Sequence, residues 1–179
     1  GGCIGDGRAA ANRQLRSLIN IVAAVCVCEQ RVSEFAADWG GHRTYAAVSQ
    51  LLATEHLDLV HICTPPATHV PLAIECLRAG VSPILEKPPA MSLEQLDRLI
   101  EVERQTGIPV IVVFQHRFGA GAERLRSLMA SSALGRPLVA LCNTFWYRDA
   151  SYFSVPLRGK WETEGGGPTM GHGIPQCDL

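Results

Sequence analysis

LDLVHICTPPATHVPLAIECLRAG, Leu57 to Gly80, changes its hydrophobic period once. Leu57–Cys63 is a short apolar run of strand length. From His69 to Ala79 the apolar residues Val70, Ile74 and Leu77 recur at helical spacing, and Gly80 is a C-terminal stop. A second apolar run, Pro83–Leu85, follows at once. Strand, helix and strand in about 30 residues make a βαβ unit, whose two strands lie parallel in one sheet.

Working outward, the same alternation recurs. Further strands are predicted at Gly2–Ile4, Ile21–Cys28 and Val110–Phe114, and helices at Arg8–Ile19, Val32–Trp39 and Ala46–Ala53. The clearest helix is Ser92–Thr106, with Ser92 as N-cap, Gln95 at the capping-box position and Gly107 ending it. Repeated βαβ units imply an α/β fold with a doubly wound parallel sheet. Near Phe114 the rhythm changes to one helix, Ala120–Ala130, one strand, Leu138–Tyr147, and an irregular aromatic and polar segment. A boundary at Gln115 divides the chain into residues 1–114 and 115–179, the latter too poor in strands to close a sheet. It reads as the start of an incomplete second α/β domain. The opening GGCIG lacks a Met, so truncation at both ends is expected.

Composition narrows the class. The chain has 179 residues, 47% hydrophobic and 18% charged, with a net charge of −1, and lacks the clustered basic face of a nucleic-acid binder. No apolar run approaches the ~20 residues of a membrane span, so neither nucleic acid nor membrane is expected as a partner and the expected location is cytoplasmic. Seven cysteines without C-x-x-C pairing argue against a disulfide framework or a zinc ribbon. Of the sixteen Lys and Arg residues only Lys87 and Lys160 are lysines, which singles out Lys87 inside EKPP.

Four loops carry the unusual residues. GDGRAA, Gly5 to Ala10, lies between the first predicted strand and helix. There Gly5 permits a tight turn, Gly7 a close approach to a pyrophosphate, and Ala10 close helix packing. CTPPATH (Cys63–His69), EKPP (Glu86–Pro89) and QHRF (Gln115–Phe118) each follow a predicted strand. Singly they have ordinary explanations: a rigid helix-capping loop, a solvated ion pair and a linker surface. Together they fall at the C-terminal ends of parallel strands, where open α/β sheets bind ligands.

GDGRAA, CTPPATH, LEKPP and FQHRF in this order resemble the glucose-fructose oxidoreductase, inositol dehydrogenase and MocA-like (Gfo/Idh/MocA) family. The likeness extends through WYRDASYFSVPLRGKWETEGGG, Trp146 to Gly167. It implies a Rossmann domain followed by a substrate domain with an open sheet, and hydride transfer between NAD or NADP and a secondary alcohol of a sugar, inositol or related polyol. It also implies a homo-oligomer in the full-length protein. Carried onto this chain, Gly5, Gly7, Arg8 and Ala10 would hold the pyrophosphate region. Thr64, Pro65, His69 and Gln115 would line the cofactor path, and Glu86 and Lys87 would meet the nicotinamide ribose and substrate hydroxyls. Lys87-Pro88 is the bond expected to be cis. Lys87 would stabilise alkoxide character on the substrate. NAD and NADP both stay open: Cys26, Val27 or Cys28 occupies the place of the usual ribose-binding carboxylate, Glu29 comes slightly late, and Arg8 and Arg31 could meet a 2′-phosphate.

The ending departs from the family pattern, G-G-G and then G-[IV]-H-x-x-D. Aligned on Gly165–Gly167, Gly173-Ile174 and Asp178, the histidine position holds Pro175 and the assisting position, four residues earlier, Gly171. His172, one residue later, either substitutes as the proton-handling group or is a loop histidine. Two readings follow: an oxidoreductase, or a dinucleotide-binding protein without turnover that acts as a sensor or partner. A Rossmann enzyme of another kind, such as a methyltransferase, would leave EKPP and QHRF without a reason.

Overall fold

The computed structural model describes residues 3–15, 17–39, 43–156 and 158–179. Two parallel sheets carry the architecture. In the first, β1 (Ala23–Val25) pairs with β2 (Arg43–Tyr45), Ala23 opposite Arg43 and Val25 opposite Tyr45. In the second, β3 (Leu59–Ile62), β4 (Ser82–Leu85) and β5 (Ile111–Val112) lie in that order. Leu59 stands opposite Ser82, and Ile84 opposite Ile111. The helices α1 (Cys3–Gln14), α2 (Glu29–Trp39), α3 (Val48–Thr54), α4 (His69–Arg78) and α5 (Leu93–Thr106) alternate with the strands. This is the α/β arrangement that the periodicity implied.

The core lies between α4, α5 and the three-stranded sheet. Ala73, Cys76 and Leu85 are completely buried, and Ile62, Val70, Ile74, Leu77, Leu99 and Val102 pack around them. Burial of a Leu side chain is worth about 1.5–3 kcal/mol, so this apolar block supplies most of the unit's cohesion. Proline in a middle strand is normally excluded because it cannot donate to the ladder. Here Ser82 and Glu86 turn their N–H groups to Asp58 and Ile62 of the β3 side, which leaves Pro83 facing β5. β5 begins only opposite Ile84, so no bond is lost there. In α5 the Ser92 hydroxyl accepts from the Gln95 N–H at 3.3 Å, and Gly107 ends the helix at φ 69°. Both termini match the sequence reading.

Elsewhere the structure corrects it. Of the strand expected at Gly2–Ile4, Cys3 and Ile4 belong to α1, and Gly2 lies outside the described residues. GDGRAA is therefore inside a helix and not in a strand-to-helix turn. Helical bonding through Ala9, Ala10 and Ala11 prevails over a three-residue strand with little to pair. β2 was not foreseen, because RTY lacks an apolar run. It is held by pairing with β1 and by buried Glu55, which accepts from Tyr45 Oη at 2.5 Å and pairs with Arg43 at 2.6 Å. α2 starts three residues early, since the Cys28 carbonyl already accepts from the Val32 N–H.

Beyond β5, a 3₁₀ turn over Gln115–Phe118 leads into α6 (Ala120–Ala130), as expected. The strand expected at Leu138–Tyr147 does not form. Those residues are irregular and exposed, and a strand without a partner has no ladder to stabilise it. The segment ends in short helices: α7 (Ala150–Phe153), α8 (Trp161–Glu164), a π-helical turn over Thr169–Gly173, and α9 (Ile174–Cys177). Among the described residues no helix is long and apolar enough to cross a membrane.

Candidate active site

Because β3, β4 and β5 are parallel, the segments that leave them emerge along one edge. After β3, Pro65 and Pro66 start a 3₁₀ turn in which the Thr68 hydroxyl donates to the Pro65 carbonyl at 2.8 Å and lies 2.6 Å from the Thr64 hydroxyl. His69, the first residue of α4, is fully buried. Its Nδ1 lies 2.8 Å from the Pro88 carbonyl and its Nε2 2.8 Å from the Thr64 carbonyl. Instead of presenting a ring nitrogen to the crevice, it fastens CTPPATH to EKPP. Thr64 itself is exposed at the edge and Pro65 is half-buried.

Glu86 follows β4 and is 6% exposed. Arg8 of α1 donates to its Oε1 from Nε at 2.7 Å and also from Nη2. This ion pair brings α1 to the edge, although Gly5 and Gly7 are helical. It also engages Arg8, the residue the sequence offered to a 2′-phosphate. Burial pushes the neighbouring Cys63 thiol up to about 11, with the Glu86 charge adding to it. Lys87 is half-buried, its bond to Pro88 is cis, and its Nζ donates to the Gly171 carbonyl at 2.5 Å. Burial lowers its pKa, against the opposing pull of Glu86 and Glu164. An ammonium closer to losing its proton is a stronger hydrogen-bond donor to developing negative charge.

Gly171 and its neighbours return the chain to this edge. At Gly165, φ 73°, an added Cβ would lie 2.8 Å from Met91 Sδ, and at Gly166, φ 128°, the Trp161 ring occupies the Cβ position. The first two glycines of the run thus serve close packing, on Met91 and Trp161. Arg117 of the QHRF turn donates to both oxygens of Asp178, from Nε and Nη2, each at 2.5 Å. Gln115 opens that turn and is exposed. Pro175 is buried in the first turn of α9, where a missing N–H leaves no helical bond unmade.

His172 Nε2 lies 3.5 Å from the Tyr152 hydroxyl, and its ring centroid is 5.9 Å from those of Trp146 and Tyr152. Burial, and then the charges of Arg148 and Lys87, lower its pKa, so the imidazole favours the neutral form. A neutral imidazole next to a lysine ammonium can accept a proton. Arg148, Tyr152 and Arg158 were not singled out from the sequence. Arginine interleaved with aromatics in WYRDASYF was the available signal.

The residues at this edge fit a dinucleotide by the chemistry of their donors. The first turn of α1 leaves N–H groups without helical acceptors, and added Cβ atoms at Gly5 and Gly7 would meet nothing within 4 Å. The Thr64 hydroxyl and the Lys87 ammonium at the sheet edge are polar and cationic donors of the kind a phosphate- and hydroxyl-rich ligand accepts from. Ala10 is exposed on α1.

Comparison with known proteins accords with this. A family model described as an oxidoreductase family with an NAD-binding Rossmann fold matches residues 1–114. D-glucoside 3-dehydrogenase of Escherichia coli (strain K12) is 29% identical over 165 residues, covering 89% of this chain and 46% of that protein. Inositol 2-dehydrogenase of Rhodococcus erythropolis is 34% identical over 113 residues, 63% of this chain and 33% of that one. Among solved structures, the WlbA dehydrogenase from Chromobacterium violaceum in complex with NADH and UDP-GlcNAcA superposes with a TM-score of 0.94 at 26% identity. It spans 99% of this chain and 51% of that one. The chain is about half the length of these two proteins, the E. coli dehydrogenase and WlbA.

Proposed function

This chain belongs to the Gfo/Idh/MocA oxidoreductase family, with its NAD-binding Rossmann fold, and from that premise we propose that it carries the cofactor half and the first catalytic residues of a sugar or polyol dehydrogenase. Residues 1–114 are the dinucleotide-binding domain and 115–179 the beginning of the substrate domain. The observation that carries the proposal is the hydrogen bond from Lys87 Nζ to the Gly171 carbonyl, which brings the ammonium beside His172 at the strand edge.

A bound NAD or NADP would supply the hydride acceptor for oxidation of a secondary alcohol to a ketone. Lys87 exchanges its bond to Gly171 for one to the substrate hydroxyl and stabilises the oxygen as it loses its proton. His172, held neutral by burial and nearby cations, takes that proton on its imidazole. Glu86, locked by Arg8, lines the same edge with a fixed negative charge. Thr64, Pro65 and Gln115 border the cofactor path, while His69 holds its walls in register.

A second reading is favoured by Pro175: the chain binds the dinucleotide without turnover. Two measurements separate these readings. Both require nicotinamide fluorescence to rise on titration with NADH or NADPH, and no binding of either at millimolar levels would remove the dinucleotide site. The first also requires polyol- or sugar-dependent reduction of the cofactor that falls by about a hundredfold or more in Lys87→Met. Binding without any such reduction selects the second.

A further inference from the structure

The irregular segment beyond α6 borders an open depression of about 550 Å³ lined by Tyr147, Arg148, Asp149, Ser151, Tyr152 and Arg158. Its charge is unbalanced. The guanidinium carbon of Arg158 sits 4.3 Å from the centre of the Tyr152 ring. That of Arg148 sits 5.0 Å from the same ring and 5.6 Å from the ring of Trp146. Stacking on one shared ring places both cations at Tyr152 and leaves in-plane N–H groups free to donate.

Those donors are largely unused. Arg148 donates from Nη1 to the Tyr147 carbonyl at 2.9 Å, while its Nε is buried without a partner. Among the described residues neither arginine forms a salt bridge. The one carboxylate in the lining, Asp149, caps α7 through Oδ1, which accepts from the Ser151 hydroxyl at 2.6 Å and the Tyr152 N–H at 3.1 Å. Two arginines with unfilled donors suit an anion such as a carboxylate or phosphate, which accepts two N–H bonds in parallel.

The depression adjoins the proton-handling residues through Tyr152, whose ring stacks with both arginines and whose hydroxyl lies 3.5 Å from His172 Nε2. We propose that Arg148 and Arg158 form an anion-recognition site that takes the carboxylate or phosphate group of a sugar derivative and so presents a ring hydroxyl to Lys87 and His172. This rests on the oxidoreductase reading and narrows its substrate from polyols at large to acidic or phosphorylated sugars.

Calorimetric titration of the full chain with D-glucuronate, D-glucose 6-phosphate and D-glucose, with and without saturating NADH, tests the site. At least one anion should bind about tenfold or more tightly than glucose, the effect of one charge-assisted hydrogen-bond pair. Preference for glucuronate identifies a carboxylate site, preference for the phosphate ester a phosphate site. Arg148→Gln and Arg158→Gln should each abolish the preference and leave NADH fluorescence enhancement unchanged. Arg148 packs on two rings, so Arg148→Lys, which keeps charge and stem, provides a second reading and should bind with intermediate affinity. Equal affinity for all three sugars, no binding of any of them, or an anion preference that survives both Gln substitutions overturns the proposal. Loss of NADH binding by the unmodified chain would instead overturn the oxidoreductase reading, and the titrations without NADH would still judge the arginine site.

Discussion

The β3–β5 sheet with α4 and α5, and the segment from Leu138 to Leu179, are held together by different means. The first has a continuous apolar core with Ala73, Cys76 and Leu85 at zero exposure. In the second, Leu141, Phe145 and Tyr147 are at least 85% exposed, and the attachments are polar: Lys87 to Gly171, Arg117 to Asp178, and arginines stacked on Tyr152. Each region contributes to the candidate site what its construction allows. The sheet supplies a rigid edge that fixes Glu86 and Lys87, and the other segment lays His172 and the arginines against it. Hydrophobic burial sets the position of the site, and directional polar contacts close it.

The contrast is broken most severely through the core. Leu85→Ala should cost about 2–5 kcal/mol, because a fully packed β4 side chain leaves a cavity between the sheet and its helices. Leu141→Ala, at a residue 88% exposed, should stay within about 0.5 kcal/mol. Urea unfolding followed by far-UV circular dichroism measures both. Similar losses for the two variants would mean that the Leu138–Leu179 segment buries more than its exposure indicates.

A smaller effect is expected at the polar clamp. Arg117→Ala removes both bonds to Asp178 and with them the tie between the QHRF turn and α9. The ordered sheet should keep its denaturant midpoint, while limited proteolysis should cut within residues 138–179 several times faster, since local opening governs cleavage. Unchanged cleavage would show that the Lys87 contact and the packing of Gly165 on Met91 suffice to hold the segment.

The same division explains what could be read from the sequence. Helix α5 was legible to its caps, because Ser92, Gln95 and Gly107 act through local hydrogen bonds and backbone geometry. The βαβ unit from Leu57 to Leu85 was legible because β4 is buried along its length and α4 buries Val70, Ile74 and Leu77 at helical spacing, and periodicity reports burial. β2 was not, since Arg43 and Tyr45 are held by a carboxylate ten and more residues away. The expected strand at Leu138–Tyr147 failed for the complementary reason: apolar residues predict a strand only where another strand meets them. At the site, EKPP and His172 stood out by residue type, and the cis bond at Lys87-Pro88 was anticipated. Gly5 and Gly7 were identified as cofactor residues, but their turn is a helix. Arg148 and Arg158 depend on aromatic stacking across an irregular chain, for which spacing carries no signal.

The smallest effect tests whether His172 is as closely surrounded as its neighbours suggest. Burial, then the charges of Arg148 and Lys87, hold its folded pKa below 6.5. As pH falls through 6.5 the unfolded chain takes up this proton first, so the native state loses stability until the folded pKa is passed. Its contribution is thus fully present above 6.5 and lost on acidification. The imidazole is half-buried, so solvent screening keeps the slope shallow. Denaturant midpoints at about pH 7.5 and about pH 5.5 should differ more for the unmodified chain than for His172→Gln, other titrating groups being common to both. Identical slopes would place the imidazole in free solvent. Tyr152 and Trp146 would then not be packed against it, and the ring contacts that join the arginines to the proton-handling histidine would be lost.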